Sequence, residues 1–137
     1  ELPDNAGLVE VIAGSYQETN GIASTFTPMH LLNVKLNKGG NADFSFPANY
    51  NTAILVIEGS VKINNNELVP TDYFALFENK GESFNLQAVN KATILVLSGE
   101  PIKEAIAAYG PFVMNNVAEL KQAYIDLAAG KFGKLED

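Results

Sequence analysis

Thr52-Ala53-Ile54-Leu55-Val56-Ile57-Glu58, closed by Gly59, is the stretch that decides the fold of this 137-residue chain. Every position between its ends is apolar, so periodicity alone fits a buried helix fragment as well as a strand. The run is short for a helix and rich in β-branched side chains, which favours a central strand apolar on both faces. Gly59 then gives a tight turn into Val61-Lys62-Ile63. Asn64-Asn65-Asn66 reads as a hairpin turn, because asparagine tolerates the left-handed backbone such turns need.

The same grammar extends in both directions. Upstream, Leu8 to Ala13 is a first strand ended by Gly14-Ser15, and the polar stretch Tyr16 to Thr27 reads as a long loop. His30 to Leu36 alternates, with His30, Leu32, Val34 and Leu36 on one face and Leu31, Asn33 and Lys35 on the other. A turn at Lys38-Gly39-Gly40-Asn41 leads into Ala42 to Phe46, which Pro47 closes. Downstream, Leu68-Val69 stops at Pro70-Thr71-Asp72, and Tyr73 to Phe77 resumes a strand. After Asn79-Lys80-Gly81, Ser83 to Val89 places Phe84, Leu86 and Ala88 on one side. Asn90-Lys91 turns into Thr93 to Leu97, a second run apolar on both faces. About eight or nine short strands separated by polar turns indicate an all-β sandwich or barrel, not βαβ units.

The pattern changes after Ser98-Gly99-Glu100-Pro101. Ile102 to Ala108 is expected to form a short helical turn stopped by Gly110-Pro111. Asn116 to Ala129 is expected to be a helix, with Asn116 as cap and Glu119 closing a capping box. Val117, Leu120, Tyr124, Leu127 and Ala128 would form its apolar stripe, and Gly130 its C-terminal cap. The lysine-bearing tail Lys131 to Asp137 follows. The expected organisation is a single domain over residues 1–137, with a β core at about 8–98 and a helical extension at 101–137.

Composition excludes several function classes. Sixteen acidic residues against nine lysines and no arginine give a net charge of −7. Nucleic-acid binders need a dense cationic footprint, and anionic membranes attract basic surfaces, so neither partner is expected. The longest apolar run falls far short of the ~20 residues needed to span a bilayer. With no cysteine, disulfide and thiolate chemistry are excluded, which suits a reducing, cytoplasmic setting.

Several blocks together resemble one family. They are Val11-Ile12-Ala13-Gly14-Ser15, STFTPMHLLNVKLNKGG (Ser24 to Gly40), NTAILVIEGSV (Asn51 to Val61), PTDYFALFENKGE (Pro70 to Glu82), LVLSGEPIKEAIAAYGPFVMN (Leu95 to Asn115) and AYIDLAAGKFGKL (Ala123 to Leu135). In this order they resemble the C-terminal domain of pirin, a bicupin, over about nine-tenths of the chain. The resemblance implies a cupin-type double-stranded β-helix, a jelly roll, followed by a C-terminal α-helix. It also implies a two-domain parent whose N-terminal cupin holds a transition metal, usually iron, on three histidines and a glutamate. Family members are reported to oxidise flavonols such as quercetin with dioxygen, as quercetin 2,3-dioxygenases, and some act as transcriptional cofactors. The second cupin is generally metal-free.

The cupin pattern G(X)5HXH(X)3–4E(X)6G can be laid on this sequence. Gly59 takes the final glycine, Thr52 the glutamate slot, and the two histidine slots fall near Phe46 to Asn49. Gly81 is the glycine of the second motif, which puts Phe84 at the remaining histidine slot. No ligand-type residue stands in any of the four, so no catalytic, cofactor-binding or metal-binding residue is expected in this chain.

Other candidates are weaker. His30, the single histidine, reads as a packed or barrel-mouth residue, since one imidazole cannot make a three-nitrogen shell. Asp72, Glu78 and Glu82 along one hairpin read as a solvated rim that protects an edge, with a polar barrel-mouth site as the alternative. Glu58 reads as a turn carboxylate. Ser15, Ser24 and Ser60 have no nearby Asp/His pair, and Gly39-Gly40 and Gly130-Lys131-Phe132-Gly133-Lys134 lack the phosphate-loop arrangement. Tyr109, Phe112, Met114 and Phe132 read first as internal packing and second as a surface for a companion domain. Two function classes follow: a metal-free structural or interaction domain partnered by an N-terminal cupin, and a self-contained cupin that binds or converts a small molecule in its own cavity. Without that partner the chain is expected to form a homodimer, because exposed apolar patches usually mark contact surfaces.

Overall fold

A computed structural model describes residues 1–133. A short 3-10 turn at Pro3–Asn5 precedes the strands β1 (Gly7–Ala13), β2 (Ser15–Tyr16), β3 (Thr19–Asn20), β4 (Met29–Leu36) and β5 (Asn41–Ser45). Next come β6 (Asn51–Glu58), β7 (Ser60–Ile63), β8 (Glu67–Pro70), β9 (Phe74–Leu76), β10 (Ser83–Ala88) and β11 (Ala92–Gly99). The last elements are β12 (Ala107–Tyr109), β13 (Phe112–Met114) and the helix α1 (Val117–Ala128). The chain divides into two compact units, Glu1–Pro101 and Ile102–Asp137.

In the first unit nine strands make two antiparallel sheets, ordered β1-β4-β11-β6-β9 and β5-β10-β7-β8. From β4 to β11 the chain changes sheet at every step except β7 to β8, which winds it into the jelly roll expected of a cupin. Alternation supplies the core. Leu32, Val34, Ile54, Val56, Ile94 and Val96 point inward from the first sheet with 0% exposure. Val61, Leu86 and Phe44 meet them from the second. Each such side chain contributes about 1.5–3 kcal/mol through apolar burial. The asparagine turn forms as its chemistry requires, with Asn64 at φ 50° and Asn65 at φ 58°. At Gly59, φ is 78°, and any side chain would overlap the Lys91 carbonyl.

Two expectations for local structure are corrected. The stretch 16–27 is not all loop: β2 and β3 pair as a small hairpin with Gln17 at φ 50°. Residues 102–108 make no helical turn. Instead Ala107–Tyr109 pairs with Phe112–Met114, and Gly110, at φ 57°, turns the chain between Tyr109 and Phe112. Seven residues cannot offset the cost of nucleating a helix, whereas the hairpin satisfies its backbone groups across a two-residue turn.

In the second unit α1 packs on the β12–β13 hairpin. Asn116 caps it, its side chain accepting from the Glu119 N–H at 3.0 Å. The return arm differs from the expected box, since the Glu119 carboxylate accepts from the Asn115 N–H at 2.9 Å and not from Asn116. Gly130 follows the helix at φ 71°, as its C-cap role requires. The apolar stripe also shifts: Leu120 and Ala123 are buried, while Val117 and Leu127 are exposed. Tyr124 ties the unit together by donating to the Tyr109 carbonyl at 3.2 Å, and Phe112 packs edge-on against its ring at 5.1 Å. Phe132 lies 5.7 Å from Phe112, and the tail beyond residue 133 lies outside the described residues.

Candidate functional site

Phe46, Ala48, Thr52 and Phe84, which stand in the ligand slots of the cupin pattern, line one small cavity. Its volume is about 40 Å³. That is room for a few waters at ~10–15 Å³ each, against ~300 Å³ for the smallest ordinary ligand pockets. β10 delivers Phe84 inward by alternation, and its ring fills the space. Its centroid lies 4.4 Å from Phe77, 5.3 Å from Phe44 and 6.2 Å from Phe46. Four aromatic rings therefore cluster beside this cavity, two of them, Phe46 and Phe84, at positions that the sequence pattern marks as ligand slots.

At the glutamate slot the chemistry is neutral and already satisfied. Thr52 on β6 lies opposite Ser98 on β11, and their hydroxyl oxygens are 2.8 Å apart in a buried hydrogen bond. Neither hydroxyl carries the negative charge that a carboxylate would bring to this slot. Ser98 is the partner that sequence reasoning missed. Its signal is the β6–β11 register, which no short motif encodes.

The acidic candidates separate. Glu78 and Glu82 line the cavity with Lys80, whose ammonium pairs with Glu78 at 2.7 Å in solvent. Asp72 sits instead in the turn between β8 and β9, where its N–H donates to the Val56 carbonyl. Glu58 is exposed at the end of β6. Ser60 donates its backbone N–H to Asn90 at 2.8 Å, and Ser24 is exposed.

His30 is half-buried on β4, its ring 4.9 Å from Phe46 and 6.4 Å from Tyr50. Nδ1 lies 3.0 Å from the Ser15 carbonyl and 3.2 Å from the Ser15 N–H, so the turn after β1 holds the imidazole. Gly14 makes that close approach possible, since a side chain there would collide with the ring. The ring also lines an open cleft of about 240 Å³ with Tyr16, Asp43 and Ser45. Burial, with the nearby Asp43 charge as the lesser cause, pushes the Tyr16 hydroxyl above its ordinary pKa. Among the described residues, no three of His, Asp and Glu come together in a group able to hold a metal ion. Among those residues, too, no helix is long and apolar enough to cross a membrane.

A jelly roll with no histidine or glutamate at the ligand slots that its sequence pattern marks defines a cupin domain that lacks the metal-binding half of that pattern. The profile of the pirin C-terminal cupin domain matches residues 31–133, and the chain belongs to the pirin family at that domain. It is 37% identical over 131 residues to a Pseudomonas aeruginosa protein provisionally named a quercetin 2,3-dioxygenase, covering 96% of this chain and 46% of that protein. It is 30% identical to human pirin over 139 residues, covering 96% of this chain and 47% of pirin. The crystal structure of a quercetin 2,3-dioxygenase from Acinetobacter baumannii superposes with a TM-score of 0.89 at 36% identity, over 99% of this chain and 47% of that one. The chain thus spans just under half the length of the relatives it matches.

Proposed function

We propose that this chain serves as the metal-free second cupin of a two-cupin pirin-type protein, a structural and interaction domain that performs no chemistry of its own. The plugged cavity carries the reading: Phe84 and its neighbouring rings fill the ligand slots, and Thr52 is paired to Ser98. In the whole protein an upstream cupin would hold the transition metal, iron by family likeness, and quercetin 2,3-dioxygenation would be its reaction. The acidic balance and the absence of arginine support neither direct nucleic-acid binding nor attraction to an anionic membrane. The cysteine-free composition suits a reducing cytoplasm.

Elemental analysis and quercetin turnover, measured on the 137-residue chain and on the protein encoded by the full reading frame, test this. The chain is expected to hold no stoichiometric metal and to leave quercetin unchanged, while the full protein holds the metal and consumes quercetin. One tightly held transition metal per chain, with quercetin consumed, would overturn the reading. The cleft beside His30 supports a second one, a cupin that binds a small polar molecule at its own surface. Saturable calorimetric binding that Tyr16→Phe or His30→Ala abolishes would favour it.

A further inference from the structure

The cleft beside His30 is built from three segments that only the folded barrel brings together. Ser15, Tyr16 and Gln17 come from the β2–β3 hairpin, His30 from β4, and Asp43 and Ser45 from β5. Asp43 and Ser45 are the outward residues of β5, because Ala42 and Phe44 take its inward positions. Gln17 is held at φ 50°, a conformation uncommon for a residue other than glycine, asparagine or aspartate. Such backbone strain concentrates at ligand clamps and active sites.

The groups on offer are mostly acceptors. Asp43 brings an exposed carboxylate, and Ser15, Ser45 and Tyr16 bring hydroxyl oxygens. One Asp43 oxygen accepts from Asn85 Nδ2 at 2.7 Å. Among the described residues the salt bridges are Lys35–Glu10, Lys80–Glu78 and Lys131–Asp126, so no lysine compensates Asp43. The walls beside it are aromatic. The Tyr16 ring packs 5.4 Å from Phe44, and the His30 ring 4.9 Å from Phe46.

We propose that this cleft binds a small primary ammonium compound with a short apolar stem, a proposal that rests on the second reading above, of the cleft as a small-molecule site. An ammonium group carries three donors and no acceptor, which matches a carboxylate without a cation and the hydroxyl oxygens around it. Aromatic faces attract the same cation. An anion would be repelled by Asp43, and a neutral molecule would leave the carboxylate uncompensated. A divalent metal ion needs more oxygen ligands than one carboxylate and a few hydroxyls supply. The chain's net charge of −7 draws cations toward its surface. A cleft of about 240 Å³ is smaller than the ~300 Å³ of ordinary ligand pockets, which limits the stem to one ring or a short chain.

His30 is the single histidine, so its ring signals in an NMR spectrum report on this cleft alone. The probes are benzylammonium, neutral benzyl alcohol and anionic benzoate, each titrated into the 137-residue chain at constant neutral pH. Benzylammonium is expected to shift the His30 ring signals saturably, with a dissociation constant of about a millimolar, as an exposed charge pair allows. The other two should bind about fivefold or more weakly. Asp43→Asn keeps an oxygen for Asn85 but removes the charge, and should weaken benzylammonium about fivefold or more. Glu67→Gln removes an exposed charge elsewhere on the same sheet and should leave binding unchanged. Benzyl alcohol or benzoate binding as tightly as benzylammonium overturns the ammonium class and leaves the small-molecule cleft standing. An Asp43→Asn chain that binds like the parent, or that loses no more than Glu67→Gln, overturns it in the same way. No saturable shift with any of the three probes overturns both the proposal and the reading beneath it.

Discussion

Phe84→Ala tests whether the aromatic ring closes the small cavity beside Thr52. The side chain is 7% exposed and lies against Phe44, Phe46 and Phe77. Truncating a buried phenylalanine costs about 3–5 kcal/mol, the larger part being the void left when the surroundings cannot collapse. Phe84 already borders a cavity of about 40 Å³, so it forgoes some packing and the lower end applies, about 3 kcal/mol. A domain of this size has about 5–15 kcal/mol in hand, so the variant should stay folded. Its melting temperature should fall by about 10 °C at a few degrees per kcal/mol. The assay is urea unfolding followed by circular dichroism, since the chain has no tryptophan. The midpoint should drop at unchanged slope. A loss below about 1 kcal/mol would refute the plug, since it would place the ring at a site that solvent already occupies.

Three further outcomes are expected. Thr52→Val and Ser98→Ala should each cost about 1–3 kcal/mol by orphaning a buried hydroxyl, and the double variant clearly less than their sum; strict additivity would mean that the two are not paired. Tyr16 has a folded pKa raised above 10.0, so its contribution to stability is whole below pH 10 and is lost as pH rises through the folded value. Tyr16→Phe should flatten the alkaline decline in stability, and an unchanged decline would refute this cause. Deprived of its proposed partner, the isolated chain should pair weakly and in a concentration-dependent way; sedimentation equilibrium returning only the monomer mass at the highest attainable concentration would count against it.

The β core was legible because its signals are local. His30 to Leu36 and Ser83 to Val89 alternate with period two, and their inward faces are the buried ones. The turns at Gly59 and Asn64-Asn65 follow from backbone conformations that few residues tolerate. The β12–β13 hairpin was not legible, because Ala105-Ile106-Ala107-Ala108 carries helix-forming composition while the opposing signal is only Gly110-Pro111 between two aromatics. The stripe of α1 was misplaced because Ala123 and Ile125 widen its apolar arc, and spacing alone does not say which part meets the hairpin. At the site, motif spacing singled out Thr52 and Phe84, and the structure places both on one small cavity. The Thr52–Ser98 bond was not legible, because it depends on a pairing 46 residues apart in sequence.

Gly59 has a consequence for how such domains drift. Its positive φ and its approach to the Lys91 carbonyl are demands of the barrel's backbone, not of a metal. The cupin pattern is therefore two superimposed constraints, one geometric and one chemical, that can be released independently. A lineage that stops using the metal frees its histidine and glutamate positions at once, and these are then open to bulky or hydroxylated side chains that improve packing. The glycine stays fixed for as long as the chain folds this way.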